Sequence, residues 1–174
     1  MAAVVAALLV SPAVAQDHAA ELCRVAQPAD GDLKTYAASF FPKASDADLD
    51  ALAACLGDPD PAVRDGFAYA LWSEGLRGKQ LGPDQMRHAL GRLTAMATAP
   101  DDRAGFAKPF AVLALSEVAR TDRIAPWMSE AELHALAATG ATYLRGVSDY
   151  RGFITGEGWR HGVAHGSDLA LQLA

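Results

Sequence analysis

The side chains best suited to chemistry lie near the end of the chain, where His161, His165 and Asp168 follow one another at intervals of four and three residues. In a helix with 3.6 residues per turn, these three positions fall within about 60° of one another. Two imidazoles one turn apart, joined by a carboxylate, can bind a divalent metal such as zinc. The spacing therefore predicts a polar helix face with a candidate metal site.

Two other interpretations of this face stay open. Gly162 follows His161, so the general base of the zinc-protease motif HExxH is absent, and the sequence does not identify further ligands on another helix. The three side chains could instead fasten the glycine-rich loop 148–158 to the helices before it. They could also form a polar patch that binds a ligand, with Arg151 and Trp159 as further contacts.

The helical pattern also assigns an opposite, apolar side to this last helix, which we expect to begin near Trp159. Its predicted members share small or apolar side chains and comprise Trp159, Val163, Gly166, Ala170 and Leu173. We therefore expect the two histidines on a solvent-accessible face.

A second candidate face lies on the helix that follows Pro61. Asp65, Tyr69 and Trp72 share one side of that helix, roughly opposite an apolar stripe through Phe67. A carboxylate beside two aromatic rings can bind a sugar, a peptide or a cation. The alternative is that both rings pack against a neighbouring pair of helices.

Cys23 and Cys55 are the only cysteines. An even number of cysteines is compatible with one disulfide in an oxidising compartment. The alternative is two small buried thiols, each on the apolar side of its own helix. Their wide spacing is not that of a metal site.

The start of the chain indicates export. Residues 2–10 are apolar and uncharged, and the small-x-small sequence of Ala13, Val14 and Ala15 predicts cleavage before Gln16. This apolar run is too short to cross a membrane, which takes about 20 residues. The alternative is an alanine-rich first helix that packs on the body of the protein.

Composition limits the classes of partner. The 174-residue chain has a formal net charge of −6, and its basic residues form no cluster, which argues against nucleic acid and anionic membrane surfaces as ligands. Abundant alanine and leucine favour helix over sheet. We therefore expect an all-α fold.

The residues that typically start and end helices divide the chain into three predicted helix pairs, which start near Ser45, Pro83 and Ser129. Intervals of about 40 residues between such pairs are typical of HEAT and armadillo repeats. The stretch 52–65 carries the pattern of a HEAT turn, in which Asp58 and Pro59 reverse the chain and Arg64 opens the inner helix. The prediction is a HEAT-like α-α superhelix without a sheet.

Three blocks of sequence carry a family resemblance: Arg64-Asp65-Gly66-x-Ala68-Tyr69-x-Leu71, Phe110-Ala111-x-Leu113, and the run from Arg151-Gly152-Phe153 through Gly158-Trp159-x-His161 to His165-Gly166-x-Asp168. With these blocks the chain resembles a bacterial domain-of-unknown-function family, number 2785, over most of its length after Ser45. The resemblance implies a helical HEAT-like fold and no established activity. Members of this family continue beyond the last motif, so we expect the chain to be incomplete at its C-terminus.

Together these patterns predict a signal peptide over 1–15 and one HEAT-like helical domain over 16–174, located in the periplasm or secreted. The chain has no phosphate loop, dinucleotide fingerprint or nucleophile elbow. The leading hypothesis is a binding or scaffold module of the bacterial envelope with a protein or peptide partner. The alternative is a metal-dependent enzyme, hydrolase-like, with a site at His161, His165 and Asp168.

Overall fold

The computed structural model describes residues 12–25 and 32–174, with side chains from residue 18 to residue 24 and from residue 32 onwards. The apolar run 2–10 lies outside the described residues. The candidate cleavage motif at Ala13–Ala15 falls in the first turns of helix α1, which spans Pro12–Val25.

The described chain is predominantly helical. The α-helices are α1 (Pro12–Val25), α2 (Leu33–Phe40), α3 (Asp46–Cys55), α4 (Pro61–Val63), α5 (Ala70–Arg77), α6 (Pro83–Thr98), α7 (Ala107–Ile124), α8 (Glu130–Gly146) and α9 (Gly162–Leu173). A 3-10 turn over Phe41–Lys43 follows α2, and a π-helical turn over Arg64–Tyr69 joins α4 to α5. The all-α prediction is confirmed at this level. No described helix has the length and apolar character that a membrane span needs.

The three helix starts predicted near Ser45, Pro83 and Ser129 all lie at helix N-termini. Ser45 and Ser129 each accept a hydrogen bond from the backbone N–H three residues on, and the carboxylates of Asp48 and Glu132 each accept one from the backbone N–H of the cap residue. These capping boxes satisfy backbone donors that would otherwise lack a partner. Pro83 occupies the first position of α6, where a missing N–H is harmless.

The helical run over 61–77 departs from ideal α geometry in the π-helical turn. Its buried positions come in adjacent pairs every four residues: Val63 and Arg64, Phe67 and Ala68, Leu71 and Trp72. This period is longer than the 3.6 residues of an α-helix, so a wheel drawn at 3.6 assigns Trp72 to the wrong side. The prediction that Trp72 lies with Asp65 and Tyr69 on a ligand-binding face is therefore wrong for Trp72.

Trp72 is a core residue, fully buried against Phe41 at a ring separation of 5.8 Å. Phe41 also packs closely against Gly75, where an added Cβ would lie 2.0 Å from Cε2 of its ring. Only glycine allows this approach, so the 3-10 turn and α5 pack without a gap.

The centre of the fold is α7, which packs against α6 on one side and α9 on another. All residues from Phe110 to Ala119 are buried, because neighbours cover the helix on every side. Leu136 of α8 and Leu169 of α9 complete this part of the core.

The loop over 148–158 contains a short antiparallel hairpin, in which β1 (Phe153–Ile154) pairs with β2 (Gly158–Trp159). The expectation of a chain without any sheet is therefore wrong. Trp159 pairs with Phe153 and so belongs to the ladder. The last helix begins only at Gly162, because the backbone of His161 is left-handed (φ 37°) and a right-handed helix cannot extend through it.

The structure joins Cys23 of α1 to Cys55 of α3 in a disulfide, with their Cα atoms 5.5 Å apart. Of the two interpretations left open by the sequence, it adopts the paired one. His18 Nε2 lies 2.9 Å from a carboxylate oxygen of Asp48, between the same two helices. Helix α1 is thus attached to α3 by a covalent and a polar contact.

Candidate binding surface on the 150–161 hairpin

The hairpin is anchored to the body of the protein by Arg64, whose side chain is completely buried in the π-helical turn. Its Nη2 donates a 2.7 Å hydrogen bond to the Glu157 carbonyl, 93 residues further along the chain. Its Nη1 donates to the carbonyls of Asp58 and Pro59, and its Nε donates to the Asp65 carboxylate at 3.0 Å. Arg64 therefore connects the turn at 58–60 to the tip of the hairpin.

Gly158 lies directly on this anchor. Its φ of +79° is in the left-handed region, and an added Cβ would come within 2.7 Å of Pro61 Cβ and 2.9 Å of Arg64 Nη2. A residue with a side chain is excluded here both by conformation and by space. The close contact fixes the distance between β2 and the π-helical turn.

Arg160 anchors the other side of the hairpin. Its Nη1 donates to the Ala104 carbonyl at 3.0 Å, and its Nε donates to the Glu157 carboxylate at 2.8 Å. The guanidinium carbons of Arg64 and Arg160 lie 3.8 and 4.3 Å from the centroid of the Phe106 ring. Two cations over one ring are each attracted by its negative face, so Phe106 links the two anchors.

The hairpin and the residue that follows it next but one carry a group of rings, which we call the aromatic stack: Phe153, Trp159 and the partly buried His161. The Phe153 and Trp159 centroids are 5.1 Å apart, and those of Trp159 and His161 are 4.1 Å apart. Phe153 remains 59% exposed and Trp159 47% exposed. The stack therefore presents a large apolar area to solvent on a backbone that is firmly held.

The aromatic stack continues inward through His165. The His161 and His165 rings lie 6.2 Å apart, and His165 contacts Phe110 edge to face at 4.8 Å. His165 is only 5% exposed, and its Nδ1 has no hydrogen-bond partner among the described atoms. Burial lowers the pKa of His165 to about 4, and the charges of His161 and Arg64 act in the same direction. At neutral pH this imidazole is uncharged and packs as an aromatic core residue.

The predicted convergence of His161, His165 and Asp168 on one accessible face is wrong. His165 is on the buried side of α9 together with Gly166 and Leu169, whereas Val163 and Ala170, predicted to be apolar contacts, are exposed. The helix starts three residues later than predicted and packs on α7 through the histidine side.

Asp168 is exposed and lies near Tyr69 instead, where its charge helps to raise the pKa of that phenol. Among the described residues, no three His, Cys, Asp or Glu side chains are grouped so that they could hold a metal ion. Of the three interpretations of these residues, the geometry agrees best with a lock that fastens the hairpin to α7.

The second predicted face, that of Asp65, Tyr69 and Trp72, is not formed, because the three side chains have different partners. Asp65 pairs with the buried Arg64, and Tyr69 lies 3.4 Å from a carboxylate oxygen of Glu117 through its hydroxyl group. Burial, followed by the charge of Glu117, raises the pKa of Tyr69 to about 12. Glu117 is itself buried and forms an ion pair with Arg77. These groups are occupied by structural contacts and do not form a shared ligand-binding face with Trp72.

A cleft of about 380 Å³ lies on the inner side of the hairpin, between the start of α7 and the end of α8. Its polar walls include Lys108, Tyr143, Asp149 and Arg160. Lys108 pairs with Asp101 at 2.8 Å, and Tyr143 donates a 3.0 Å hydrogen bond to the Gly162 carbonyl. Burial raises the pKa of the Tyr143 hydroxyl, so it stays protonated at neutral pH. The cleft therefore offers both charge signs and a neutral hydroxyl to a small polar molecule.

Residues 93–174 match the family model described as Protein of unknown function (DUF2785). The DUF2785 segment includes α7, α8, the hairpin and α9, and it begins later than the resemblance after Ser45 would suggest. Comparison with curated proteins and with solved structures returned no match. The family description names no activity, so the function has to be argued from the geometry.

Within the DUF2785 segment, Arg151 forms a local contact. Its Nε donates to Asp149 Oδ1 at 2.8 Å and its Nη2 donates to Oδ2 at 2.7 Å. This pair, led by the side-chain hydrogen bond, lowers the pKa of Asp149 to about 2. Arg151 is exposed and lies two residues before β1, and its described side-chain contacts are those with Asp149.

The sequence did not predict the anchoring roles of Arg160 and Arg64 at the hairpin. Arg160 follows Gly158 and Trp159, and an alternation of inward and outward residues is typical of a strand. This alternation was too short to predict a strand, since β2 has only two residues. Nothing in the sequence indicated that Arg64 and Glu157 meet.

Proposed function

We propose that this protein is an exported binding module with HEAT-like stacked helix pairs, and that a protein or peptide partner binds at the aromatic stack. The observation that carries the proposal is that Phe153 and Trp159 are exposed while their backbone is held by Arg64 and Arg160. Rigid aromatic side chains lose little conformational entropy on binding, and aromatic residues are enriched at the centres of protein interfaces.

Burial inside the fold does not explain these two rings. Trp159 contacts Phe153 and His161, but nearly half of its surface faces solvent. Phe153 contributes little to the core because it is more than half exposed. Contiguous exposed apolar area on a well-held segment is typical of an interaction site.

Two features support the exported location. The apolar run 2–10 followed by Ala13-Val14-Ala15 is typical of a cleaved signal peptide. The pairing of Cys23 with Cys55 fits an oxidising compartment such as the periplasm. The mature protein would thus lack the signal peptide and contain the disulfide.

The binding proposal is tested with a random-peptide phage library selected on the purified protein. Enriched peptides with apolar or aromatic residues are expected, and their affinity should fall at least tenfold in Trp159→Ala combined with Phe153→Ala, because hot-spot aromatics contribute about 2 kcal/mol or more. Leu171→Ala is the matched control, since Leu171 is an exposed apolar residue elsewhere in α9. Failure to enrich any peptide, or an equal loss in the control, would overturn the proposal.

The export proposal has its own readout. Intact mass spectrometry of protein from the periplasm of an expressing Gram-negative bacterium should show a chain that begins at Gln16 and lacks two thiol hydrogens. A chain that keeps residues 1–15 and stays in the cytoplasm would contradict export without affecting the binding test.

A further inference from the structure

A second concave surface lies far from the hairpin in sequence, where the end of α5, the start of α6 and the end of α7 meet. We call it the apolar groove; it has a volume of about 390 Å³. Large apolar side chains line it, namely Leu76, Leu81, Met86, Ile124 and Trp127. Its volume is within the range of about 300–1,000 Å³ that small-molecule sites span.

The charges around the apolar groove are all positive. Arg77, Lys79 and Arg120 line it, and no carboxylate among the described side chains does so, although the whole chain has a net charge of −6. Arg77 is paired with the buried Glu117. Lys79 and Arg120 have no ion-pair partner among the described side chains, so two cations remain available to a ligand.

Lys79 also holds an uncommon backbone conformation, with φ at 56° in the left-handed region. Glycine adopts this conformation without steric cost, whereas a residue with a Cβ is disfavoured in it. Gly78, one position earlier, does not need it. The strained lysine therefore places an unpaired cation at the rim of the groove at some expense to stability.

The polar side chains of the apolar groove favour an acyl chain over a peptide. Trp127 Nε1 donates to Thr121 Oγ1 at 3.0 Å, and Thr121 Oγ1 donates to the Val118 carbonyl at 2.7 Å. The indole and hydroxyl donors are thus both used within the fold. A bound peptide would need partners for its own amides, whereas an acyl chain needs none.

We infer that the apolar groove binds a fatty-acid-type carboxylate, with the acyl chain on Leu81, Met86 and Trp127 and the carboxylate at Lys79 and Arg120. The apolar side chains offer contact that does not depend on direction, and the two unpaired cations can each donate to one of the two carboxylate oxygens. This site is separate from the aromatic stack and does not depend on the proposed function.

Isothermal titration of the purified protein with dodecanoate, below its micelle concentration, tests this inference. One bound dodecanoate per chain is expected, with 1-dodecanol at least tenfold weaker because it lacks the charge. Lys79→Gly should weaken dodecanoate about fivefold while keeping the melting temperature equal or higher, because glycine accepts the left-handed conformation. Arg120→Gln should weaken it by a similar factor.

Two further variants complete the test. Arg123→Gln removes a cation from the same end of α7 outside the lining of the groove and should leave the affinity unchanged. Ile124→Glu introduces a carboxylate at an exposed position of the lining and should abolish binding. No binding of dodecanoate, equal binding of dodecanol, or equal losses in Lys79→Gly and Arg123→Gln would each overturn the inference. So would an acidic apolar peptide that occupies the groove when dodecanoate does not.

Discussion

Arg64 Nη2 lies 2.7 Å from the carbonyl oxygen of Glu157 and donates a hydrogen bond to it across 93 residues of sequence. This contact joins the π-helical turn over Arg64–Tyr69 to the DUF2785 segment. The same guanidinium is stacked on Phe106 and satisfies two carbonyls of the turn at 58–60. The arrangement makes one buried cation the common support of the turn and the hairpin.

Arg64→Ala is expected to lower the free energy of unfolding by about 3–5 kcal/mol, because it leaves the Glu157 carbonyl and the Asp65 carboxylate without their partner. Urea unfolding at pH 7, followed by circular dichroism, measures the change. Arg103→Ala removes an exposed arginine and should stay within about 0.5 kcal/mol of the parent protein. A loss below about 1 kcal/mol for Arg64→Ala would refute its role as the support.

Gly158→Ala should destabilise the protein by about 1–3 kcal/mol, since its Cβ would meet Pro61 and Arg64 and its φ of +79° disfavours alanine. Hydrogen exchange should also become faster at the Arg160 amide, which donates to the Gly152 carbonyl at 3.1 Å.

Gly91→Ala is the control for this substitution. Gly91 lies within α6 with no atom within 4 Å of an added Cβ, so alanine should stabilise the protein by about 0.5–1 kcal/mol. Equal effects of the two substitutions would mean that the hairpin does not pack on the π-helical turn as described.

The buried imidazole of His165 predicts a loss of stability in acid. Its pKa is about 4 in the folded protein, against 6.5 for the unperturbed side chain. The unfolded chain therefore takes up this proton first as the pH falls, and the folded state becomes relatively less stable between about pH 6.5 and pH 4. Above pH 6.5 the contribution of His165 to stability is fully present.

His165→Gln removes this titration. Between pH 7 and pH 4.5 the parent protein should lose about 2 kcal/mol more unfolding free energy than the variant, as measured by urea unfolding at both values. Parallel pH profiles of the two proteins would show that His165 titrates normally and is accessible to water.

The disulfide between Cys23 and Cys55 closes a loop with a sequence separation of 32. Replacing both cysteines with serine should lower the free energy of unfolding by roughly 3–4 kcal/mol on the chain-entropy model. Labelling of periplasm-derived protein with a thiol reagent, in denaturant and without reductant, should detect no free thiol. Two labelled cysteines would exclude the disulfide.

Local sequence signals determined most of the helical structure. Ser45, Pro83 and Ser129 mark helix starts because capping and the missing proline N–H act within one turn of chain. The all-α class followed from composition for the same reason, since helix propensity and periodicity are properties of short segments.

The candidate site depended on contacts that no local signal contains. Trp72 is buried because the π-helical turn shifts the residues that follow it, and His165 is buried because α9 starts at Gly162 and packs on α7. A helical wheel assumes a constant period of 3.6 residues and a correctly placed start. The period is longer in the π-helical turn, and α9 starts three residues later than predicted.

The contact between Arg64 and the Glu157 carbonyl is the clearest feature that depends on tertiary structure alone. The sequence by itself identified 149–168 as the segment rich in functional side chains, and it placed Arg64 in a turn motif. Only the fold brings Arg64 to Glu157, because that contact depends on how α7 and α9 pack between them. Helix starts are set by neighbours in sequence, whereas the exposed aromatic stack exists because distant helices hold its backbone in place.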